Sequence, residues 1–205
     1  MTARVPWFAA DLADALADAM TALEAELCLA QEPHGLDEWA EPRLQAALAG
    51  ALAGRHTVLR EVHYPSTAGR KRSHRPRCDL VLACAEAPQD PASAPPTDAL
   101  WLELKLARQR KAGGLRDARY AQQWQRHLIA DLRKLGGEPL IRDAALALVC
   151  FTEDEATLHR DLDAFEALLV RKDVVAGFRQ VRALPIVERI GHRVCGVAVW
   201  PTIQP

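Results

Sequence analysis

An acid and a base stand two residues apart in the stretch LWLELKLA, from Leu100 to Ala107. Leucines occupy every second position, so in a strand they share one face. The other face then carries Trp101, Glu103, Lys105 and Ala107. The stretch therefore predicts a strand with an apolar core face and, opposite it, a glutamate beside a lysine.

A second carboxylate precedes this strand. Asp79 opens the segment CDLVLAC, which is typical of a short buried strand, and it shares a face with Val81 and Ala83. If the two strands pair, Asp79 approaches Glu103 and Lys105. Two carboxylates on adjacent strands form a site of hard oxygen ligands, which suits Mg²⁺, and a lysine beside it can reach a phosphate or a metal-bound water. The alternative is a solvated strand face with a weak surface ion pair.

The periodicity of apolar residues predicts the elements that position these side chains. Helical spacing appears over about residues 5–30, 37–53, 117–135 and 153–172. Strands are predicted at TVLREVHYP, CDLVLAC, ALWLELKLA and AALALVCFT, and at FRQVRALPIVERI and HRVCGVAVWPTI around a turn at Gly191. The proline-rich segment from Ala87 to Asp98 is predicted to be an exposed loop.

The order of these elements favours an α/β fold. Three consecutive strands suit an antiparallel meander, and the helix after them can cross over to a strand that lies parallel in the same sheet. We therefore expect a single α/β domain over residues 1–205. It would contain a mixed sheet with helices on both sides, an extra N-terminal helix at about 5–30 and a C-terminal β-hairpin within an extension at 153–205.

The pattern of Asp79 followed, after an insert, by Glu103-Leu104-Lys105 resembles the PD-(D/E)XK nuclease superfamily, which has the restriction-endonuclease-like fold. The resemblance covers about residues 36–152, from the acidic helix before the first strand to the apolar strand AALALVCFT. Cys78 stands where the family usually has a proline. The resemblance implies that Asp79 and Glu103 bind Mg²⁺ or Mn²⁺, that the Leu104 carbonyl assists, and that Lys105 orients or activates the attacking water.

Many members of this family carry a further acid on the first core helix, and Glu41 and Glu38 compete for that role. Glu41 is three residues before Leu44 and seven before Leu48, which puts it near the buried line of the helix. We therefore expect Glu41 to face the metal. The alternative is that both glutamates only favour the helix N-terminus electrostatically.

Two basic clusters flank the strands that carry the motif. A nuclease needs such groups to hold a polyanion, so we expect them to contact phosphates; the alternative is ordinary solubility charge. The first cluster consists of Arg70, Lys71, Arg72, Arg75 and Arg77, and the second of Arg108, Arg110, Lys111, Arg116 and Arg119.

The helix after the second basic cluster has a polar line beside its apolar stripe. Tyr120 and Gln123, near its N-terminal end, are candidates to reach the active site. His127 and Asp131 continue the line at intervals of four, and we assign them to ordinary helix polarity. Trp101 is assigned to packing.

Composition narrows the class of protein. The net charge of −1 gives no global sign of nucleic-acid binding, which must then rest on the local clusters. The five cysteines include no CxxC pair and are typical of reduced thiols in a cytoplasmic protein. No apolar stretch of 18 residues occurs, so we expect no membrane association. The stripe of the N-terminal helix either forms a homodimer surface or covers the domain's own core.

Together with the resemblance to PD-(D/E)XK nucleases, these observations predict a Mg²⁺-dependent nuclease that hydrolyses phosphodiester bonds in DNA, acting either as an endonuclease or as an exonuclease. The alternative is a catalytically inactive nucleic-acid-binding or protein-interaction module with the same fold.

Overall fold

The computed structural model describes residues 7–67, 76–84, 98–111 and 113–203. Within these ranges six strands form one mixed sheet in the order β1-β2-β3-β4-β6-β5. The strands are β1 His56–His63, β2 Arg77–Cys84, β3 Leu100–Arg108, β4 Asp143–Thr152, β5 Gln180–Pro185 and β6 Val194–Pro201. The helices are α1 Ala9–Leu29, α2 Glu41–Leu52, α3 Tyr120–Gly136 and α4 Glu155–Arg171. Most of the proline-rich segment predicted as a loop from Ala87 to Asp98, namely residues 87–97, lies outside the described ranges.

The first four strands have the predicted connectivity. β1, β2 and β3 form an antiparallel meander, and β4 runs parallel to β3 after the crossover through α3. β4 is apolar on both faces and lies in the interior of the sheet, as its continuous apolar sequence indicates. The prediction of a mixed sheet within an α/β fold is confirmed.

Helices cover both faces of the sheet. The leucines of β3 pack with Leu80 and Leu82 of β2 against α1 and α2. On the opposite face, α3 and α4 pack over β4 and β6. Trp101 is buried on this second face against Tyr64, with ring centroids 5.7 Å apart, so its assignment to packing is confirmed. The face of β3 that carries Glu103 and Lys105 is therefore the one that α3 crosses.

The N-terminal helix covers the chain's own sheet. Leu12, Leu16 and Met20 of α1 are buried in the same apolar cluster as Val197 and Val199 of β6. Of the two interpretations of its stripe, burial within the chain is the one the fold displays. The apolar stripe of α1 is therefore shielded from water by the chain's own sheet, without a second subunit.

The second predicted helix, over residues 37–53, is not continuous. Residues Leu36–Glu38 form a short 3₁₀ turn, and α2 begins only at Glu41, after Ala40 in an extended conformation. Pro42 explains the late start, because proline lacks an N–H and fits the first turn of a helix but not its interior. Asp37 instead points into the core and accepts a hydrogen bond from His192, with 2.9 Å between Oδ2 and Nδ1.

The C-terminal strands enlarge the same sheet. β5 and β6 pair antiparallel, as predicted, and β6 pairs antiparallel with β4. The strands are shorter than the sequence pattern predicts, because the chain leaves the sheet between Pro185 and Val194. Gly191 lies in that connection with φ of 98°, a conformation that favours glycine.

Candidate active site

The strands β2 and β3 separate at the position of the predicted acids. Their ladder consists of three pairs, Leu80 with Leu102, Val81 with Trp101 and Leu82 with Leu100. Asp79 and Glu103 come next along the two strands but do not pair through the backbone. The separation leaves the β2 side of β3 without a strand partner over its second half.

Two carboxylates take the place of the missing strand. The Leu104 N–H donates to Asp79 Oδ2 at 2.8 Å, and the Leu106 N–H donates to Glu41 Oε2 at 3.3 Å. An unpaired buried N–H costs free energy, so these two contacts stabilise the open edge. They also fix the two acids, one from β2 and one from the first residue of α2, beside the motif.

The ammonium group of Lys105 lies among oxygen atoms. Lys105 is only 19% exposed at its side chain. Its Nζ lies 3.1 Å from the Leu104 carbonyl, 3.4 Å from Asp79, 3.4 Å from Asp131, 3.7 Å from Glu103 and 4.0 Å from Glu41. The Asp79 and Glu103 carboxylates, predicted to be close enough to share a cation, therefore share this ammonium.

Burial and the neighbouring negative charges have opposite effects on the pKa of Lys105. Burial disfavours the charged form, but the charges of Asp79, Asp131, Glu103 and Glu41 together raise the pKa of Lys105 above its ordinary value. Lys105 is therefore protonated at neutral pH and serves as the counter-ion of the acidic cluster.

Glu103 is the most deeply buried acid of the cluster, with 2% of its surface exposed. Tyr64 Oη donates to its Oε1 at 2.5 Å, and Lys134 Nζ lies 2.5 Å from the same oxygen. Burial and the nearby charge of Asp79 raise the pKa of Glu103 to about 7, although the Lys134 ammonium opposes them. Glu103 therefore exchanges its proton near neutral pH.

Three residues of this cluster were not predicted as site residues. Tyr64 and Lys134 hold Glu103, and Asp131 contacts both Lys105 and Lys134, at 3.4 Å and 3.1 Å. The assignment of Asp131 to ordinary helix polarity was wrong. The spacing of three between Asp131 and Lys134 is a signal that one face of α3 carries both charges. Tyr64 gives no comparable signal in the sequence.

The positions of Glu41 and Glu38 show which of these two glutamates lies at the acidic cluster. Glu41 lies near Lys105, whereas Glu38 precedes α2 and pairs with His34 at 3.1 Å. Burial raises the pKa of Glu41, while the ammonium of Lys105 lowers it in part. Glu41 is therefore the acid that α2 brings to the cluster.

The residues of the two predicted basic clusters differ in where they lie and in what they contact. Arg70, Lys71, Arg72 and Arg75 lie outside the described residues, and Arg77 is exposed at the start of β2. In the second cluster, Arg116 is exposed and binds Glu153, with both oxygens at 2.9 Å. Arg119 is also exposed. Arg108, Arg110 and Lys111 instead line a cavity next to Lys105.

This cavity has a volume of about 770 Å³ and opens between β3, the start of α2 and the start of α3. Tyr120 also lines it, but the Tyr120 hydroxyl lies 3.0 Å from Cys150 Sγ and makes no described contact with the acidic cluster. The side chain of Gln123, the other candidate on α3, lies outside the described part of the structure. His127 lines the cavity wall.

The donor set suits a hard divalent cation. Among the described residues, four carboxylates face the ammonium groups of Lys105 and Lys134 and the Arg108 guanidinium near Glu41, and the Leu104 carbonyl adds a neutral oxygen. Oxygen donors with an excess of negative charge are what Mg²⁺ prefers. Across the described ranges, however, no three histidine, cysteine, aspartate or glutamate side chains are already arranged as metal ligands.

Comparison with known proteins found no relative of this chain. No protein-family model, no curated protein and no solved structure matches it. Within the described residues no helix has the length and apolar character needed to cross a membrane.

Proposed function

We propose that the protein is a metal-dependent nuclease of the PD-(D/E)XK type that hydrolyses phosphodiester bonds in DNA. One observation carries the proposal: Asp79, Glu103 and the Leu104 carbonyl converge on a single cation, the Lys105 ammonium, where β2 and β3 separate. The resemblance predicts these three groups as the metal ligands. The connectivity of α2, β1–β3, α3 and β4 supports the further proposal that residues 36–152 form a restriction-endonuclease-like core.

Each residue has a role in this proposal. Asp79, Glu103 and the Leu104 carbonyl would hold Mg²⁺ or Mn²⁺, with Glu41 as a further acid. The bound ion would supply a Lewis acid and an activated water. Lys105, released from part of its carboxylate contacts, would hydrogen-bond the attacking water or a phosphate oxygen. Tyr64 and Lys134 would keep Glu103 in a fixed orientation, because both contact its Oε1 and leave Oε2 directed to Lys105.

Two further features fit this proposal. Arg108, Arg110 and Lys111 bring positive charge beside the acidic cluster, where a nucleic-acid backbone would need it. All five cysteines are free thiols, which fits the reducing cytoplasm in which we propose the protein acts.

A plasmid-nicking assay with Mg²⁺ or Mn²⁺ tests the proposal. We expect nicked or linear product with wild-type protein, and its loss with a chelator or in Asp79→Asn, which keeps an oxygen for the Leu104 N–H but removes the charge. Asp163→Asn is the matched control, because Asp163 is 67% exposed and pairs only with Arg179 among the described residues. Wild-type protein inert with both ions on supercoiled, linear and single-stranded DNA rejects the proposal, and so does equal activity of the two variants.

A second candidate function is a non-catalytic nucleic-acid-binding module with the same fold. The observation that favours it is the position of Lys105, whose ammonium already neutralises part of the acidic cluster. Calorimetric titration with Mn²⁺ separates the two functions. The nuclease requires binding that Asp79→Asn weakens, whereas the module requires no metal at all.

A further inference from the structure

The cavity next to Lys105 has the size of a small-molecule site. Its volume is about 770 Å³, and ligand pockets in proteins span roughly 300–1,000 Å³. One wall is the second half of β3, from Lys105 to Arg108, and another is the start of α2 at Glu41. The cavity therefore begins at the proposed cleavage site.

Positive charge predominates in the lining. The cations are Lys105, Arg108, Arg110 and Lys111, and the anions are Glu41 and Asp117. Lys111 is 62% exposed and only 3.6 Å from Asp117, so its ammonium can turn toward a ligand at little cost. Because Asp79, Glu103 and Asp131 already offset the charge of Lys105, the remaining lining has three cations and two anions, and a ligand with one negative charge, such as a phosphodiester, fits this balance.

Arg108 and Arg110 differ from surface arginines. Arg108 donates to the Trp39 carbonyl, and its Nε is buried without a hydrogen-bond partner in the described part of the chain. Arg110 donates to the Gly114 carbonyl at 3.0 Å and lies 3.5 Å from Glu153, with 28% of its side chain exposed. Both guanidinium groups are thus held in place by the protein before any ligand binds.

The same cavity has an aromatic wall. Tyr120 and Trp124 line it, and the centroids of their rings are 5.9 Å apart. The Phe165 ring packs against Trp124, with 5.4 Å between the centroids. Trp124 is 4% exposed, so the half-buried Tyr120 ring is the more accessible of the two. Aromatic rings in nucleic-acid sites stack on bases without regard to sequence.

We propose that this cavity binds one unpaired nucleotide next to the phosphate that is cut, so that single strands, frayed ends and the transiently unpaired regions of a supercoiled plasmid are cut in preference to stable duplex DNA. The proposal rests on the nuclease function and names its substrate class. Cations for a phosphate and a ring for a base occur together in a space suited to a single nucleotide. A base that remains paired in a duplex cannot leave its partner to enter such a cavity.

Binding of deoxyadenosine 5′-monophosphate to the full chain, measured by calorimetry in the presence of a chelator, tests the cavity without any cleavage. We expect saturable binding to wild-type protein. Tyr120→Phe keeps the ring and should bind equally, whereas Tyr120→Leu should bind about tenfold more weakly because stacking is lost. Lys111→Gln should also weaken binding. Lys172→Gln, at the exposed end of α4, is the matched control, because Lys172 does not line the cavity.

Three outcomes overturn the proposal: no binding at millimolar nucleotide, equal binding by the two Tyr120 variants, or equal affinity for inorganic phosphate alone. Thermal melts of both variants show that they are folded. Because these titrations need neither metal nor cleavage, a failed nicking assay with intact nucleotide binding rejects the nuclease and leaves the cavity site. If the wild-type enzyme cleaves, rates on single-stranded DNA at least tenfold above those on a blunt duplex are expected, and equal rates overturn the proposal.

Discussion

The Asp79 carboxylate is fixed by the backbone of the neighbouring strand: the Leu104 N–H donates to its Oδ2 at 2.8 Å. The contact forms because β2 and β3 separate after the Leu80–Leu102 pair. The fold of β3 therefore holds Asp79 in place, and the Lys105 ammonium contacts the same Oδ2 from farther away, at 3.4 Å. Because both contacts involve one oxygen, changes at the acid and at the lysine are coupled.

Replacement of Lys105 by methionine should leave the fold intact and abolish Mg²⁺-dependent cleavage. It also removes the ammonium that Asp79 shares with Glu103 and Asp131 and leaves Lys134 as the counter-ion of the last two, so we expect a loss of about 1–3 kcal/mol in the free energy of unfolding without metal. Mg²⁺ should restore more stability to the variant than to wild-type protein, since a bound ion stabilises the folded state. Melting temperatures with and without Mg²⁺ measure this.

Lys172→Met is the control for the removal of one lysine, as Lys172 is exposed beyond α4. A Lys105→Met protein that still nicks plasmid at the wild-type rate contradicts the catalytic role. A Lys105→Met protein whose melting temperature does not change when Mg²⁺ is added contradicts the shared cation site.

The alternation of leucines in β3 was sufficient to predict which side chains share the leucine face and which lie on the opposite face with Glu103 and Lys105. It was also sufficient to predict that Asp79 approaches Glu103, because two adjacent strands of a meander put alternate residues on the same face. The late start of α2 could have been read from Pro42. These features follow from local sequence and strand order.

The contacts of Tyr64, Asp131 and Lys134 could not be predicted in the same way. Tyr64 is 39 residues from Glu103 in the chain, and their contact depends on how β1 ends beside β3. Lys134 reaches Glu103 because α3 crosses the sheet with its last turns over the site, whereas Tyr120 at the first turn lies over Cys150. The angle of a crossing helix is set by packing of the whole face and not by its own sequence.

Glu103 should make the stability of the metal-free protein depend on pH. Its pKa is about 7 in the folded protein, against an ordinary value of 4.5. Between these values the folded state holds a proton that the unfolded state has released, so the free energy of unfolding falls as pH rises through this window. The stabilisation that comes from protonated Glu103 is fully present below pH 4.5 and is lost as the pH rises through about 7. It amounts to about 3 kcal/mol at most.

Urea unfolding of wild-type protein and Glu103→Gln across this range measures the effect. The difference between their unfolding free energies should change with pH in that window and level off above neutral pH. A constant difference would show that Glu103 is ionised throughout.

Replacement of Tyr64 by phenylalanine removes the hydroxyl that donates to Glu103 at 2.5 Å and keeps the ring beside Trp101. A buried carboxylate that loses a donor costs about 1–3 kcal/mol of stability. We expect a lower melting temperature with the ring packing preserved, and a higher pKa for Glu103. The pH profile of cleavage should therefore move to higher pH. A profile identical to that of wild-type protein would mean that the hydroxyl only fills space.

Lys134 should act on cleavage through Glu103. Its ammonium lies 2.5 Å from Glu103 Oε1 and lowers the pKa of that carboxyl against the effect of burial. Without this charge Glu103 should stay protonated to higher pH, and a protonated carboxyl is a poor metal ligand. Lys134→Met should therefore bind Mn²⁺ more weakly at neutral pH and recover part of the affinity in alkaline buffer. Lys134→Arg keeps the charge and should remain close to wild type. If both variants lose affinity equally at every pH, Lys134 supports the packing of α3 and does not tune Glu103.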